Sequence, residues 1–356
     1  MRHLCSKISI AVILILLQVL LFSHKSFATH AAGGEITYQW ISGSTYKVNF
    51  IFYRDCAGTT EPATVVLGYA NNCTGFCSTM TLNKAATTSA GALNGTEVSI
   101  GCPNSQSTCV STTSVIPGYR EWVYTGNVTL PTQCAEWRFF TCTNARNNAI
   151  NNLVTPGSQT LYVEATLNNL AAQGNSSPFF ANKPTPYVCT STPLNYSNVA
   201  IDPNNDSLVY DIIQPRTASA AVATCPTTPS PISFSSTIYN LTSNPLDCNN
   251  SFTFNPTNGQ MSFTATNQQV AALTVRVREY RNGVLIGSII RDIQVIVKNC
   301  INAISIPNFR LDTASITGGS WVGNRIENCG GNPFTFCISS KTTTPNAKIV
   351  ISSNNA

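Results

Sequence analysis

The sequence predicts an all-β protein made of tandem antiparallel β-sandwiches that are stapled by disulfides. Three observations support this prediction. Apolar residues alternate with a period of two in many short runs, as half-buried strands require. Proline and glycine recur about every 8 to 12 residues, the spacing of turns in antiparallel sandwiches. The chain also contains 14 cysteines, whereas no stretch of a dozen residues has the 3.6-residue period of an amphipathic helix.

Residues 1–28 have the layout of a secretory signal peptide. A basic start with Arg2 and Lys7 precedes an apolar run over residues 8–22, and the small residues Ser26 and Ala28 end the segment. The alternative is an uncleaved membrane anchor, but the run is shorter than the roughly 20 apolar residues that a bilayer span needs. We therefore expect cleavage near Ala28, no membrane span in the mature chain, and a location outside the cell or on its outer surface.

The charge balance argues against a nucleic-acid partner. The signal segment carries three of the 20 basic residues and none of the 15 acidic residues, which leaves 17 basic against 15 acidic residues in the mature chain. No cluster of basic residues is present. Threonine, serine and asparagine are abundant instead, and they predict a nearly neutral surface rich in hydroxyls and amides.

The cysteines of an exported chain predict disulfides rather than a zinc site. Cys73 and Cys77 have metal-like spacing, but no histidine or second cysteine pair accompanies them. Short-range bridges are plausible, although the sequence does not fix the connectivity; the candidates are Cys102–Cys109, Cys134–Cys142 and Cys225–Cys248. The 13 cysteines that remain after removal of Cys5 imply a free thiol, an intermolecular bond or a partner beyond residue 356.

The first module is predicted over residues 29–183. The run "TYKVNFIFYR" places alternate apolar side chains on one face, and "EITYQW" precedes it across the turn "ISGS". The four side chains expected on the buried face are Tyr46, Val48, Phe50 and Phe52.

A Pro-rich stretch near residue 183 predicts a boundary, and residues 184–299 have the size of one sandwich. Within them, "NPTNG" and Asn282-Gly283 are strong hairpin-turn signals. Across the second hairpin, we expect Glu279 and Arg291 to form a cross-strand ion pair.

A repeat suggests a third module. The segments that start at Cys189 and at Cys329 share a cysteine, a proline and two apolar positions in register, followed by a strand pattern. We therefore interpret residues 300–356 as a linker and an incomplete third module, and the chain as a fragment of a longer protein or a truncated product.

Several motifs in fixed order resemble one bacterial family, among them "THAAGGEITYQW", "YRDC", "RNNAI", "NSSPFF", "PYVC", "DPNNDSLVY" and "EYRNGVLIGSIIRDIQVIVKNC". It is the N-terminal region of large secreted or surface proteins of the type IX secretion route, which often continue into PKD repeats and a gliding-motility-associated sorting domain. The second block also resembles a cadherin-like or dystroglycan-type domain, through its entry "DPNNDSLVY" and its "NPTNG" hairpin. The tandem sandwiches are accordingly expected to be immunoglobulin-like or cadherin-like. The resemblance implies adhesion or motility in a larger multidomain architecture. Such a sorting domain is not found in this chain, which leaves its export by that route in doubt.

The loop "DPNNDS" contains oxygen-bearing side chains that could bind a cation. Asp202, Asn204 and Asp206 alternate before a strand pattern, and the cadherin-like resemblance adds Glu279 as a fourth oxygen ligand. Calcium takes six to eight oxygen ligands, so these residues are candidate calcium ligands. The alternative is a polar turn, because Asp and Asn bond their own backbone and Pro203 presets one dihedral angle. No other cofactor is expected.

The resemblance also implies O-glycosylation at Asp-Ser/Thr-apolar triplets. Ser207 and Thr313 occupy the middle positions of two such triplets. Both are therefore candidate modification sites.

The sequence offers little catalytic machinery. Two of the three histidines leave with the signal, which leaves His30 at the second mature position, too few for a multi-histidine metal site. No nucleophile-elbow or phosphate-loop motif is present. We predict a non-catalytic protein whose partners are other surface proteins or extracellular polysaccharide. A carbohydrate-binding module is the alternative, and a glycoside hydrolase with paired carboxylates is a distant one.

Overall fold

The all-β, disulfide-stapled fold is confirmed by the computed structural model. The structure describes residues 31–98, 106–185, 187–218, 223–225, 227–300, 308–317, 320–322, 325–327 and 335–341, with backbone alone at 308–314 and in the last three ranges. The predicted signal peptide and the repeat position Cys329 lie outside these residues. Among them, the helical structure is one short 3-10 turn, Pro156–Ser158, and no helix is long and apolar enough to cross a membrane.

The described residues form 22 strands, numbered here in chain order. They are β1 Ala31–Ser42, β2 Thr45–Asp55, β3 Thr64–Asn71, β4 Cys77–Lys84, β5 Tyr119–Thr129, β6 Trp137–Thr143, β7 Leu161–Leu167, β8 Phe179–Phe180, β9 Val188–Cys189, β10 Leu194–Ser197, β11 Ala200–Ile201, β12 Ser207–Ile213, β13 Arg216–Thr217, β14 Ser230–Pro231, β15 Thr253–Phe254, β16 Gln260–Phe263, β17 Gln269–Arg281, β18 Val284–Lys298, β19 Asn308–Thr317, β20 Ser320–Val322, β21 Arg325–Glu327 and β22 Thr335–Lys341.

Eight strands pair in a closed circuit. Their order is β1-β2-β5-β4-β3-β6-β7-β18, and β18 pairs with β1 again from Gly33 opposite Ile293 to Glu35 opposite Arg291. β17 and β12 extend the sheet beyond β18, and β9 pairs with β18 in parallel. Because the circuit closes, each of its eight strands is paired on both sides.

The main core is filled by side chains from the strands of the circuit. Tyr46, Val48, Phe50 and Phe52 are all buried there, so the predicted buried face of β2 is confirmed. The β1–β2 turn is also confirmed, with Gly43 at φ +52° between the strands. That positive φ favours glycine, which has no Cβ to clash.

A second core lies beyond the circuit. The N-terminal half of β17 and the C-terminal half of β18 pack on the small sheet β10-β16-β15. The buried residues at this contact include Leu273, Val295, Met261 and Phe263. The two predicted hairpin turns of this region are present: β15 pairs with β16 around Gly259 at φ +69°, and β17 pairs with β18 around Asn282 and Gly283 at φ +50° and +80°. The latter two angles suit a two-residue hairpin turn.

The structure does not divide at residues 183 and 184. β17 has 13 residues and β18 has 15, longer than the usual 3–10, and both strands contribute to both cores. The two predicted modules thus share their longest strands. The chain divides instead between Lys298 and Asn299, where the predicted linker begins. In the second unit, β19 pairs with β22 and β20 pairs with β21.

The disulfides differ from the short-range candidates. The bonds are Cys56–Cys109, Cys73–Cys134 and Cys77–Cys225, across 53, 61 and 148 residues of sequence. Cys189 and Cys300 are also disulfide-bonded.

All three predicted disulfide pairs are therefore corrected. Cys109 and Cys134 bond to Cys56 and Cys73 rather than to Cys102 and Cys142, and Cys225 bonds to Cys77 rather than to Cys248. Cys142 and Cys248 are buried free thiols, and Cys102 lies outside the described residues. The reason is topological, because strands that are adjacent in the sheet bring together cysteines that are distant in sequence.

The expected Glu279–Arg291 pair is wrong because the hairpin register places Glu279 opposite Gly287 and Arg291 opposite Val275. Arg291 instead donates from Nε and Nη2 to both oxygens of Glu35 on β1, the second bond being 2.9 Å long. Its guanidinium also lies 3.9 Å from the centre of the Phe180 ring. This buried pair therefore joins the two strands that close the circuit.

Candidate functional site

The acidic loop predicted from the sequence meets the end of β17. Residues 202–206 connect β11 to β12, and β12 pairs with β17 so that Leu208 lies opposite Glu279. Glu279 follows the buried residues Val275 and Val277 on the same face of its strand, so its side chain also points inward. One carboxylate oxygen each from Asp202, Asp206 and Glu279 lies within 4.8 Å of the others.

Asp202 holds the turn. Its Oδ1 accepts hydrogen bonds from the backbone N–H groups of Asn204 at 2.9 Å and Asp206 at 2.8 Å, as Asp does in Asx turns. Its Oδ2 is buried and has no hydrogen-bond partner. A polar turn therefore accounts for the hydrogen bonds of Asp202 Oδ1 but not for the burial of Asp202 Oδ2 without a partner.

Asp206 is neutralised by an arginine that sequence reasoning missed. Arg281 donates from Nε and Nη2 to the two carboxylate oxygens of Asp206, at 2.9 and 2.6 Å. The same Nη2 donates to Asn175 Oδ1 at 2.8 Å. The signal was present in the segment "EYRNG", since Arg281 is two residues from Glu279 and therefore on the same face of β17.

Glu279 is fully buried. Its Oε1 accepts a hydrogen bond from Asn175 Nδ2 at 2.8 Å, and its Oε2 has no partner. Burial raises the pKa of Glu279 to about 9, the Asp202 and Asp206 carboxylates add to the rise, and the hydrogen bond from Asn175 opposes it. The carboxyl group of Glu279 is therefore protonated at neutral pH. No sequence signal pointed to Asn175, which lies in the irregular segment before β8.

Asn204 is separate from this group. Its Oδ1 accepts a hydrogen bond from the backbone N–H of Ser176 at 2.9 Å, and the residue is exposed. The structure thus brings together three of the four predicted calcium ligands and adds Asn175 and Arg281.

The small number of carboxylate oxygens without a hydrogen-bond partner favours a proton over calcium as the occupant of this cluster. Asp202 Oδ2 and Glu279 Oε2 are the buried carboxylate oxygens without a partner in the described residues, whereas calcium takes six to eight oxygen ligands. A single proton shared by Asp202 and Glu279 would satisfy both atoms. Calcium stays a prediction, and one variant separates the two occupants.

We expect Glu279→Gln to stabilise the folded protein increasingly as the pH rises from 5 to 8. The unfolded chain ionises Glu279 above its ordinary pKa, but the folded chain keeps the proton until about pH 9, so the native state binds more protons in this window and stability falls with pH. The loss approaches about 1.4 kcal/mol per pH unit for one proton, and glutamine, which carries a permanent donor, removes it.

The measurement is chemical denaturation of wild type and Glu279→Gln at pH 5, 6.5 and 8, each with calcium and with a chelator. The proton predicts a widening gap between the two proteins and no effect of the chelator. A wild type that calcium stabilises, with the effect lost in Glu279→Gln, would assign the cluster to the cation.

A groove of about 360 Å³ opens on the outward face of the large sheet. It is lined by three arginines and two glutamates, together with Thr166, Asn168 and Ser288 from β7, the loop after it and β18. The charged members are Arg138, Arg216, Arg276, Glu136 and Glu164.

Comparisons with known proteins do not identify a function. No family model, curated protein or solved structure matches the chain. The groove and the acidic cluster therefore have to be interpreted from their own chemistry.

Trp40, Trp122 and Trp137 lie in β1, β5 and β6 and do not form one exposed platform on which a sugar could stack. Trp137 is buried beside Phe76, and the ammonium of Lys84 lies 4.4 Å from the centre of the Trp122 ring. Trp40 is 40% exposed and is the most accessible of the three.

The two free thiols are poorly suited to nucleophilic chemistry. Burial raises the pKa of Cys142 to about 12, against the opposing charge of Arg138, and burial also raises the pKa of Cys248. Because the thiolate is the reactive form and a raised pKa disfavours it, both cysteines are poor nucleophiles.

The two candidate O-glycosylation sites differ in what the structure describes. Ser207 is exposed at the start of β12, beside Asp206, whose side chain pairs with Arg281. Thr313 lies within β19, where the structure describes backbone alone. Modification of both remains a prediction.

Proposed function

We propose that this chain is a non-catalytic β-sandwich protein that is secreted or held at the outer cell surface. Its role in this proposal is adhesion or gliding-type motility, as one part of a larger multidomain architecture. The resemblance of its motifs to surface proteins of the type IX secretion route supports that role.

The observation that carries the proposal is the set of long-range disulfides. Three bonds join segments 53 to 148 residues apart, and such structural bonds form in oxidising compartments and are rare in the cytosol. The signal-like segment at residues 1–28 agrees with export.

The non-catalytic part of the proposal is supported by the state of the reactive groups. The three histidines of the chain are His3, His24 and His30, so no histidine is present among the residues that the structure describes. The free thiols are buried, and Glu279 is fully buried beside Asp202.

The proposal is tested on intact cells of the source organism with external protease and a membrane-impermeant label. We expect the chain to be labelled and digested from outside, and a strain that lacks it to attach or spread more slowly until complemented. A chain found in the cytoplasm with reduced cysteines, or attachment and spreading that do not change, would contradict it.

Polysaccharide binding is the second candidate function, and the outward groove is the observation that favours it. Guanidinium, carboxylate, amide and hydroxyl groups converge there, as expected for a site that orients a polar ligand. Selective retention of the chain starting at residue 29 on immobilised polysaccharides would support this function, and no retention on any of them would exclude it.

Glycoside hydrolysis remains the distant alternative, since Glu136 and Glu164 both line the groove. Both oxygens of Glu164 accept hydrogen bonds, Oε1 from Arg216 and Oε2 from the Tyr162 hydroxyl. These bonds already engage both carboxylate oxygens of Glu164, whereas a hydrolase directs such a group at the glycosidic bond. Release of reducing ends from a bound polysaccharide would overturn this assignment.

A further inference from the structure

The register of the large sheet builds a polar row across four neighbouring strands. Arg138 on β6 lies opposite Thr166 on β7, Thr166 opposite Ser288 on β18, and Ser288 opposite Arg278 on β17. The hydroxyls of Thr166 and Ser288 are 2.8 Å apart. Directly opposed residues share one face of a sheet, and three members of this row, Arg138, Thr166 and Ser288, line the groove.

Acidic partners hold two of the groove arginines in fixed orientations. Arg276 donates from Nε and Nη2 to Asp211, at 3.0 and 2.5 Å. Arg216 pairs with Glu164. These guanidiniums are already balanced by carboxylates and are not the primary anchors for an anion.

Arg138 is positioned but not neutralised. Its Nη2 donates to the carbonyl of Thr227 at 2.7 Å, and its guanidinium lies 5.1 Å from the centre of the Phe140 ring. In the described part of the chain it makes no ion pair. A guanidinium held this way, with further N–H donors free, suits a carboxylate ligand.

The rest of the lining narrows the ligand class. Among the described residues, no aromatic side chain lines the groove, so the ligand is held by polar groups rather than by stacking on a ring. The Glu136 carboxylate can accept hydrogen bonds from ligand hydroxyls, which a polyglutamate chain lacks and a polysaccharide carries. The groove thus combines an unpaired cation with acceptors and hydroxyls, which fits a ligand that carries both carboxylates and hydroxyls.

We propose that this groove binds an acidic polysaccharide, with a uronate carboxylate on Arg138 and neighbouring sugar hydroxyls on Thr166, Ser288 and Glu136. The inference rests on the second candidate function and names its ligand class. Because the mature chain has nearly balanced charge, selectivity for the acidic polymer comes from this groove rather than from the whole surface.

The test measures binding of the chain starting at residue 29 to polygalacturonate, neutral dextran and polyglutamate at moderate salt. Arg138→Gln removes the anchoring charge, and Lys47→Gln removes one charge from an exposed position on β2 as the matched control. We expect wild type and Lys47→Gln to bind polygalacturonate equally and Arg138→Gln to bind at least about tenfold more weakly, the change that 1.4 kcal/mol produces.

A second variant keeps the proposal testable if Arg138→Gln unfolds. Asn168→Asp is nearly isosteric and keeps the acceptor that bonds the N–H of Ala171 at 2.9 Å, but it adds a negative charge to the groove. We expect it to weaken polygalacturonate binding and to leave the melting temperature within a few degrees of wild type.

The outcomes separate this inference from the function on which it rests. Equal binding of dextran and polygalacturonate, or no effect of either groove variant, would overturn the acidic-ligand assignment while carbohydrate binding survives. Preference for polyglutamate would assign the groove to an acidic peptide. No binding of any polysaccharide would remove both the groove assignment and the second candidate function, and leave surface adhesion to be tested on cells.

Discussion

Asp292→Ala is expected to destabilise the fold by about 3–5 kcal/mol, because it leaves a buried arginine without its counter-charge. Asp292 and Arg146 are 1% and 2% exposed. Arg146 donates from Nη1 and Nη2 to the two oxygens of Asp292, at 2.7 and 2.8 Å, and Thr274 donates to the same carboxylate at 2.8 Å. The pair attaches the segment after β6 to the middle of β18.

The measurement is urea unfolding of wild type, Asp292→Ala and the double variant Arg146→Met/Asp292→Leu. Apolar replacement of both members removes the two buried charges together, so we expect the double variant to recover most of the loss. A single variant that costs under 1 kcal/mol, or a double variant no better than the single one, would show that the pair does not behave as a buried ion pair.

Removing the Cys77–Cys225 bond is expected to cost about 3–5 kcal/mol, the largest effect among the three mapped disulfides. The bond spans 148 residues of sequence, and a cross-link that closes a longer loop restricts the unfolded chain more. In the same entropic description, the Cys56–Cys109 bond across 53 residues stabilises by about 1 kcal/mol less.

Local packing adds to the cost at Cys77–Cys225. The bond fixes Cys225 next to Thr227, the residue whose carbonyl orients Arg138, and Ala223 packs in the small core formed by Phe140 and Tyr162. Thermal unfolding of Cys77→Ala/Cys225→Ala against Cys56→Ala/Cys109→Ala provides the comparison. Equal melting temperatures for wild type and the Cys77→Ala/Cys225→Ala variant would contradict a stabilising bond at this position.

Local features were predictable from the sequence because their causes are local. The alternation over Tyr46 to Phe52 specifies a strand with one buried face, and Asn282-Gly283 specifies a tight turn because both residues adopt positive φ. The loop at residues 202–206 was correctly associated with Glu279, although that link came from a family resemblance rather than from residue spacing.

Features that depend on strand order were not predictable in this way. Arg291 pairs with Glu35, 256 residues away, because β18 closes the circuit against β1. The disulfides follow the same strand order, so sequence proximity misassigned Cys109, Cys134 and Cys225.

The sequence does contain a signal that the two predicted modules form one unit. The strands on the two sides of Asn282-Gly283 are 13 and 15 residues long, and their sequences contain no proline and few glycines that would end a strand earlier. Strands of that length can serve two cores at once, whereas the Pro-rich stretch near residue 183 is a packed connection within one unit, with Pro184 and Val188 buried.

Disulfide mapping of the chain isolated from its native source is the most direct test of the account. Mass spectrometry of unreduced peptides should link Cys56 to Cys109, Cys73 to Cys134 and Cys77 to Cys225. Cys142 and Cys248 should react with a thiol reagent only after unfolding. Fully reduced cysteines in the native protein, or linkage between sequence neighbours such as Cys134 and Cys142, would contradict both the strand order and the extracellular location proposed for this protein.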